Sequence, residues 1–374
     1  MHTQSGSTPR RIVLTAAVIA AAAGMLASGC SRGGGRISTN QSSRLSGPVA
    51  NAPAVAPNAI EAASMRERAV AILIEGASSD SAERRANSIE GLSITPSRLR
   101  PLLPAALVDE NLGVRSVAAM VVGRLKLTQL THAVRPLVHD RSPMVRMAAI
   151  YALHRCGDTG PDADISPIGR MLWDESPRVR AQAAFILGEL GDRSAVPMLK
   201  ESLRSSMNRA THNEVRLMQL QAAEARAKLG DDDALHEIRA ALYPSRPDDL
   251  EAAALAAQIL GLVGDRRSTD QLIYLTARQD ESGHPMPAEV RLAAAASLAL
   301  LGMPQGGFLA REFAGSDRAV LRAQSAHVFG QTGLGENLPA LALMMDDPDP
   351  LVRTAAAAGV LKITERPGMG GSRR

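Results

Sequence analysis

Apolar residues along this chain return every three or four positions, and one stretch carries the pattern without interruption. In Ser176 to Leu203, SPRVRAQAAFILGELGDRSAVPMLKESL, the residues Val179, Ala183, Ile186, Leu187 and Leu190 stand at i, i+4, i+7, i+8 and i+11, a stripe along one face of a helix. Arg180, Gln182 and Glu189 fall outside that stripe. Gly191 occupies the place where a helix ends on a left-handed residue, and Asp192 to Ser194 supply turn and capping groups. Val196, Leu199 and Leu203 begin a second stripe, with Pro197 tolerated because a first-turn residue has no intrahelical use for its N–H. Neither helix is long enough to bury its stripe unaided, so the pair predicts neighbours of its own kind.

Those neighbours are present in the sequence. The Val179 position recurs at Val114, Val145, Val179, Met218, Ala252, Val290, Leu321 and Val352, in steps of 31, 34, 39, 34, 38, 31 and 31 residues. A divergent copy precedes them at Ala82 to Leu107. A period in the thirties predicts helix pairs stacked into a solenoid. The run V-R-x-x-A-A-x-x-L-G-x-L-G-D at Val179 to Asp192 resembles the HEAT-like repeats of the phycobilisome-lyase type. That resemblance implies an all-α, right-handed α-solenoid of about eight or nine HEAT-like helix pairs over residues 58–364, with the second helix of each pair on the inner curve.

Two further columns run through the copies. Arg115, Arg146, Arg180, Arg291, Arg322 and Arg353 follow the apolar column by one residue, and Asp109, Asp140, Asp174 and Asp347 precede four of them by six. A cation in the first helical turn opposes the helix dipole, so these arginines predict a brace to a carboxylate or carbonyl of an adjacent repeat. Gly123, Gly188, Gly261 and Gly330 stand nine residues after the apolar column, with His154 as the bulky exception. Mid-helix glycine costs about 1 kcal/mol against alanine, so the column predicts a neighbouring backbone too close for a side chain. Arg226 stands where Leu187 stands, at odds with a buried position.

The ends of the chain differ from the repeats. Arg10 and Arg11 precede an apolar run from Ile12 to Ala27, and Leu26-Ala27-Ser28-Gly29-Cys30 closes it with small residues before a cysteine. Residues 1–29 resemble a bacterial lipoprotein signal peptide, which implies cleavage before Cys30 and lipid attachment to its thiol. A cleaved secretory peptide or a retained anchor are the alternatives. Residues 30–57, rich in Gly, Ser, Pro and Ala and free of acidic residues, predict a disordered tether. Residues 58–79 predict a helix capping the open N-terminal end of the solenoid, and 365–374 a disordered Gly and Arg-rich tail.

Composition narrows the chemistry. The net charge of +4 is misleading, because eight of the 42 basic residues but only one of the 38 acidic ones lie outside residues 58–364. The array is therefore slightly acidic, which argues against nucleic acid as a partner. No haem-attachment, zinc-protease, phosphate-loop or nucleophile-elbow motif is present, so the expectation is a protein without catalytic residues, cofactor, metal or evident small-molecule substrate. Cys156 aligns with core leucines and reads as a structural thiol.

Surface is what remains for function. The second helices carry Trp173, Tyr243 and Tyr274, with Arg170, Arg239 and Arg278 beside them, residue types that anchor protein interfaces. The expected role is a membrane-anchored, extracytoplasmic scaffold holding unidentified protein partners on a concave face. The alternative is an accessory or lyase-like factor that presents a protein or cofactor to an enzyme.

Overall fold

Each copy of the apolar column opens a long helix, and the helices form for the reasons visible in the sequence. They are α2 (Ala82–Leu92), α3 (Leu112–Arg124), α4 (Pro143–Arg155), α5 (Pro177–Leu190), α6 (His212–Lys228), α7 (Leu250–Leu262), α8 (Ala288–Leu300), α9 (Ala319–Thr332) and α10 (Pro350–Thr364), preceded by α1 (Ala59–Gly76). Proline occupies the first turn of α4, α5 and α10, and Gly191 and Gly333 end α5 and α9 in the left-handed conformation at φ 80° and 67°. Shorter helical segments, partly 3-10, join the long ones. The computed structural model describes residues 55–279 and 283–365, with Val49 and Ala52. The signal segment, Cys30, most of the tether and all of the tail beyond Glu365 lie outside these residues.

The long helices pack side by side in chain order from α2 to α10, and the series then returns on itself. On one side α10 rests against α9; on the other it meets α2 and α1. Among the described residues there are nine long repeat helices and eight short connecting helical units, and α1 stands where the ninth short unit belongs. The all-α solenoid expected from the sequence is therefore present, but α1 caps no open end. It completes the last repeat and closes a ring, because the faces of α2 and α10 that an open array would leave bare are covered by each other and by α1. Ala69, Val70 and Leu73 of α1 are buried in the same apolar core as Ala355, Val360 and Leu361 of α10. Arg66 Nε donates to Glu365 at 2.6 Å, and Arg68 pairs with Asp346, so charges flank the apolar seam.

The arginine column is a relay between loops. Arg115 donates to both carboxylate oxygens of Asp140 in the next repeat, at 2.8 and 3.0 Å, and to the carbonyls of Asp109 and Glu110 in its own loop, at 2.7 and 3.0 Å. Arg322 repeats this with Asp347 and the carbonyls of Ser316 and Asp317. Arg85, in the divergent first copy, does the same with Asp109. Burial pushes the Asp140 carboxyl up, but the hydrogen bonds from Arg115 and the Ser142 N–H outweigh it and hold it below the usual carboxylate range. Arg146 and Arg353 keep only the carbonyl half of the motif. These side chains are committed to the fold and offer no free anion ladder.

The glycine column marks close approaches at alternate interfaces. A Cβ at Gly188 would lie 2.8 Å from Ala225 Cα, one at Gly261 2.7 Å from Ser297 Cα, and one at Gly330 2.6 Å from Gly359 Cα. At Gly123 the obstacle is the Tyr151 ring at 2.6 Å together with Ala152 Cα at 2.9 Å. His154 is exposed and bends away from the core. Arg226 is buried as its column requires, and is tolerated because Asp231 and Glu237 accept from it at 2.8 and 2.9 Å.

Closure by α1 has measurable consequences. Leu73→Ala lowers the unfolding free energy by about 2–5 kcal/mol, whereas Arg68→Ala, which breaks only an exposed pair, changes it by less than about 1 kcal/mol. Equal and small effects in urea unfolding would show that α1 contributes nothing to the ring. Glu83 on α2 lies near Asp349 at the start of α10, and burial, then the Asp349 charge, pushes its carboxyl above the usual range. A carboxyl raised in the folded ring favours closure while protonated, and that contribution is lost as pH rises through its raised value. Glu83→Gln is thus more stable than wild type near pH 7 and indistinguishable from it below the ordinary glutamate pKa of about 4.3. Equal urea midpoints at pH 7 would detach Glu83 from closure.

Candidate functional site

The long helices occupy the inner radius of the ring. They are buried along almost their whole length, and charges on helices that are not sequential neighbours act on one another, as Arg124 of α3 and Glu189 of α5 do. The short helices are half-exposed and lie outside them. The expected inner curve of second helices is therefore reversed. Helices flanked on both sides by their own kind bury more when they take the smaller radius.

This reversal relocates the candidate contact residues. Trp173, Tyr243 and Tyr274 are 43%, 46% and 54% exposed on the outer helices, and Phe308 is 64% exposed. They face outward around the circumference and do not line a concave groove. Arg170 is exposed close to Trp173. Arg239 is occupied, donating to Asp265 through two bonds of 2.7 Å. Arg278 is half-buried, with a buried Nη1 that has no hydrogen-bond partner. Phe313 does not reach solvent as the other rings do, since Arg291 stacks 5.4 Å from its centre. Cys156 is half-buried against the core with its Sγ 3.9 Å from the Val122 carbonyl, and burial pushes its thiol pKa up. No group of three metal-ligating side chains converges among the described residues, and no helix there is long and apolar enough to cross a membrane.

Sequence reasoning passed over a second surface. Ten residues after each apolar-column position stand Arg124, Arg155, Glu189 and Lys228 on α3 to α6, replaced by Leu262 and Leu300 on α7 and α8. One or two turns earlier on the same faces come Asn87, Glu90, Tyr151, Gln182, Gln221 and Glu224. Polar positions opposite the stripe would be exposed on a lone helix pair, yet here Gln182, Gln221, Glu224, Asn87 and Glu90 are buried. Arg124 binds Glu90 in bidentate fashion at 2.7 and 2.6 Å. Lys228 reaches Glu189 at 2.7 Å and Glu224 at 2.8 Å while lying 4.9 Å from the Phe185 ring centre. Burial raises the Glu224 carboxyl toward its neutral form despite Lys228. Burial also raises the Tyr151 phenol, helped by Glu189 and opposed by Arg155, Arg124 and Lys228, so all four charges lie within reach of its hydroxyl. Such a collection is a candidate site, because burying charges is costly and the apolar alternative is in use on α7 and α8.

Known proteins agree with the architecture. The model for HEAT repeats matches residues 99–175, and that for the PBS lyase HEAT-like repeat matches residues 179–205. No curated protein matches. Among solved structures, the complex of CpcE and CpcF of phycocyanin lyase from Nostoc is similar at 18% identity, covering 70% of this chain and 94% of that one with a TM-score of 0.36. Human deoxyhypusine hydroxylase is similar at 15% identity, covering 74% and 99% with a TM-score of 0.34. The Escherichia coli protein YibA is similar at 17% identity, covering 71% and 94% with a TM-score of 0.31. Global likeness at that level carries no argument, so the assignment rests on the matched segments and on the helix pairs themselves. By both, this chain is built of HEAT-type repeats.

Proposed function

We propose that the ring is a protein-binding scaffold, tethered by a lipid on Cys30 to the extracytoplasmic face of a bacterial membrane, and that it engages partners through its outer circumference. The observation that supports the binding surface is the exposure of Trp173, Tyr243, Tyr274 and Phe308 on separate outer helices of a chain with only eight aromatic residues. Aromatic residues left in solvent by a fold that buries its apolar residues so thoroughly are suited to anchor a partner. The tether reading is supported by the sequence alone, through Arg10 and Arg11, the apolar run and the small residues before Cys30. A second reading, an accessory factor that presents a protein or cofactor for covalent attachment, is favoured by the PBS lyase HEAT-like repeat at residues 179–205. Both readings need a partner on the ring and differ in what is done to it.

Affinity capture from membranes with the wild-type chain and with a Trp173→Ala, Tyr274→Ala variant tests the surface. The variant is expected to lose partners retained by the wild type; recovery of the same set would remove the outer face from consideration. For the tether, Cys30→Ser is expected to shift the protein from the membrane fraction to the soluble fraction. A variant that fractionates as wild type would rule out lipid attachment there.

A further inference from the structure

The inner face of α3 to α6 brings together more hydrogen-bond donors than it uses. Arg124 and Arg155 each hold a buried Nε with no hydrogen-bond partner. Arg155 makes no ion pair among the described residues, and the Tyr151 hydroxyl makes no hydrogen bond there although the side chain is only 1% exposed. Tyr151 is placed by the repeat itself: its ring lies across the α3 backbone, which is possible because residue 123 is glycine. The nearby carboxylates are already engaged, Glu90 by Arg124 and Glu189 by Lys228. With Glu224 driven toward its neutral form, Arg124, Arg155 and Lys228 stand against two carboxylates, leaving one cation in excess.

The group grades from accessible to enclosed. Arg124, Glu189 and Lys228 side chains are 26%, 23% and 24% exposed, while Tyr151 and Glu224 behind them are buried. A guanidinium withdrawn from water without a counter-ion is costly, and donors held in that state recognise an anion without having to be ordered first. The expense has no structural return, since α7 and α8 close the same ring with Leu262 and Leu300 in this column.

We propose that Arg155, the Tyr151 hydroxyl and Arg124 Nε form a binding site for a single oxyanion group, a carboxylate or a phosphate, entered from the C-terminal ends of α3 and α4. The site is separate from the outer aromatic surface. Its ligand is either a free phosphate or a carboxylate, and the two are told apart by titration. Isothermal titration of the full chain in chloride buffer, with orthophosphate and separately with acetate, is expected to give saturable binding of at least one probe. Binding of orthophosphate alone assigns the site to phosphate, and comparable binding of acetate assigns it to carboxylates. Arg155→Gln is expected to weaken binding at least about tenfold and Tyr151→Phe about threefold. Arg170→Gln, on the outer face, is expected to leave it unchanged. Tyr151→Phe removes one oxygen atom and decides the matter if Arg155→Gln fails to fold. No saturable binding of either probe, or an affinity that neither inner-face variant moves, overturns the proposal.

Discussion

Everything in this molecule depends on the contact of α1 and α2 with α10. A stacked repeat covers its apolar flanks only if each unit has a neighbour on both sides, and a linear stack always leaves two units short of one. Here the two deficient units meet. The N-terminal helix supplies the missing outer member of the last pair, and Leu73 and Val70 enter a core that runs without a break from α8 through α10 into α1 and on to α6. A second, smaller apolar cluster holds α6 to α8 together, where the spacings between copies are longest and the arginine column lapses to Gln219 and Ala253. In that region Arg239 and Asp265 provide a cross-link of the same chemical type from different positions.

Two devices set how each unit meets the next. The Arg to Asp relay fixes loops at one end of the long helices, each guanidinium holding its own loop by carbonyl oxygens and the following loop by a carboxylate. The glycines fix the other end, where backbones approach too closely for a methyl group at α3 with α4, α5 with α6, α7 with α8 and α9 with α10. Because the glycine contacts fall at every second interface, the ring is assembled from pairs of repeats. Closing nine units requires about 40° of rotation from each, a value set by helix packing and not by any single residue.

The sequence was legible where information is local. The period, the helix ends at Gly191, the arginine brace and the close approach at the glycine column all follow from residues a few positions apart. Closure was not legible, since it arises from rotation accumulated over nine units. The inner and outer helices were transposed for a related reason. Gln182 and Glu189 stand outside the apolar stripe and so suggest a wet surface, but a ring turns that third face inward and removes it from solvent. Arg226 shows the same limit at one residue: its column demands burial, and nothing near it in the pattern announces that Asp231 and Glu237 neutralise it. The outer aromatics were recognisable by type, but their direction was not.

Joining the first helix to the last also sets a timetable for synthesis. Arg66 and Glu365 are 299 positions apart, so α1 leaves the ribosome long before the surface it belongs to exists. Until then its apolar side has no permanent lodging, and the half-made chain exposes both Leu73 and the bare flank of α2 to whatever is nearby. A nascent chain of this kind is most vulnerable during the interval before α10 emerges, and a truncation that spares all but the final repeat forfeits the docking place of the first helix along with the last.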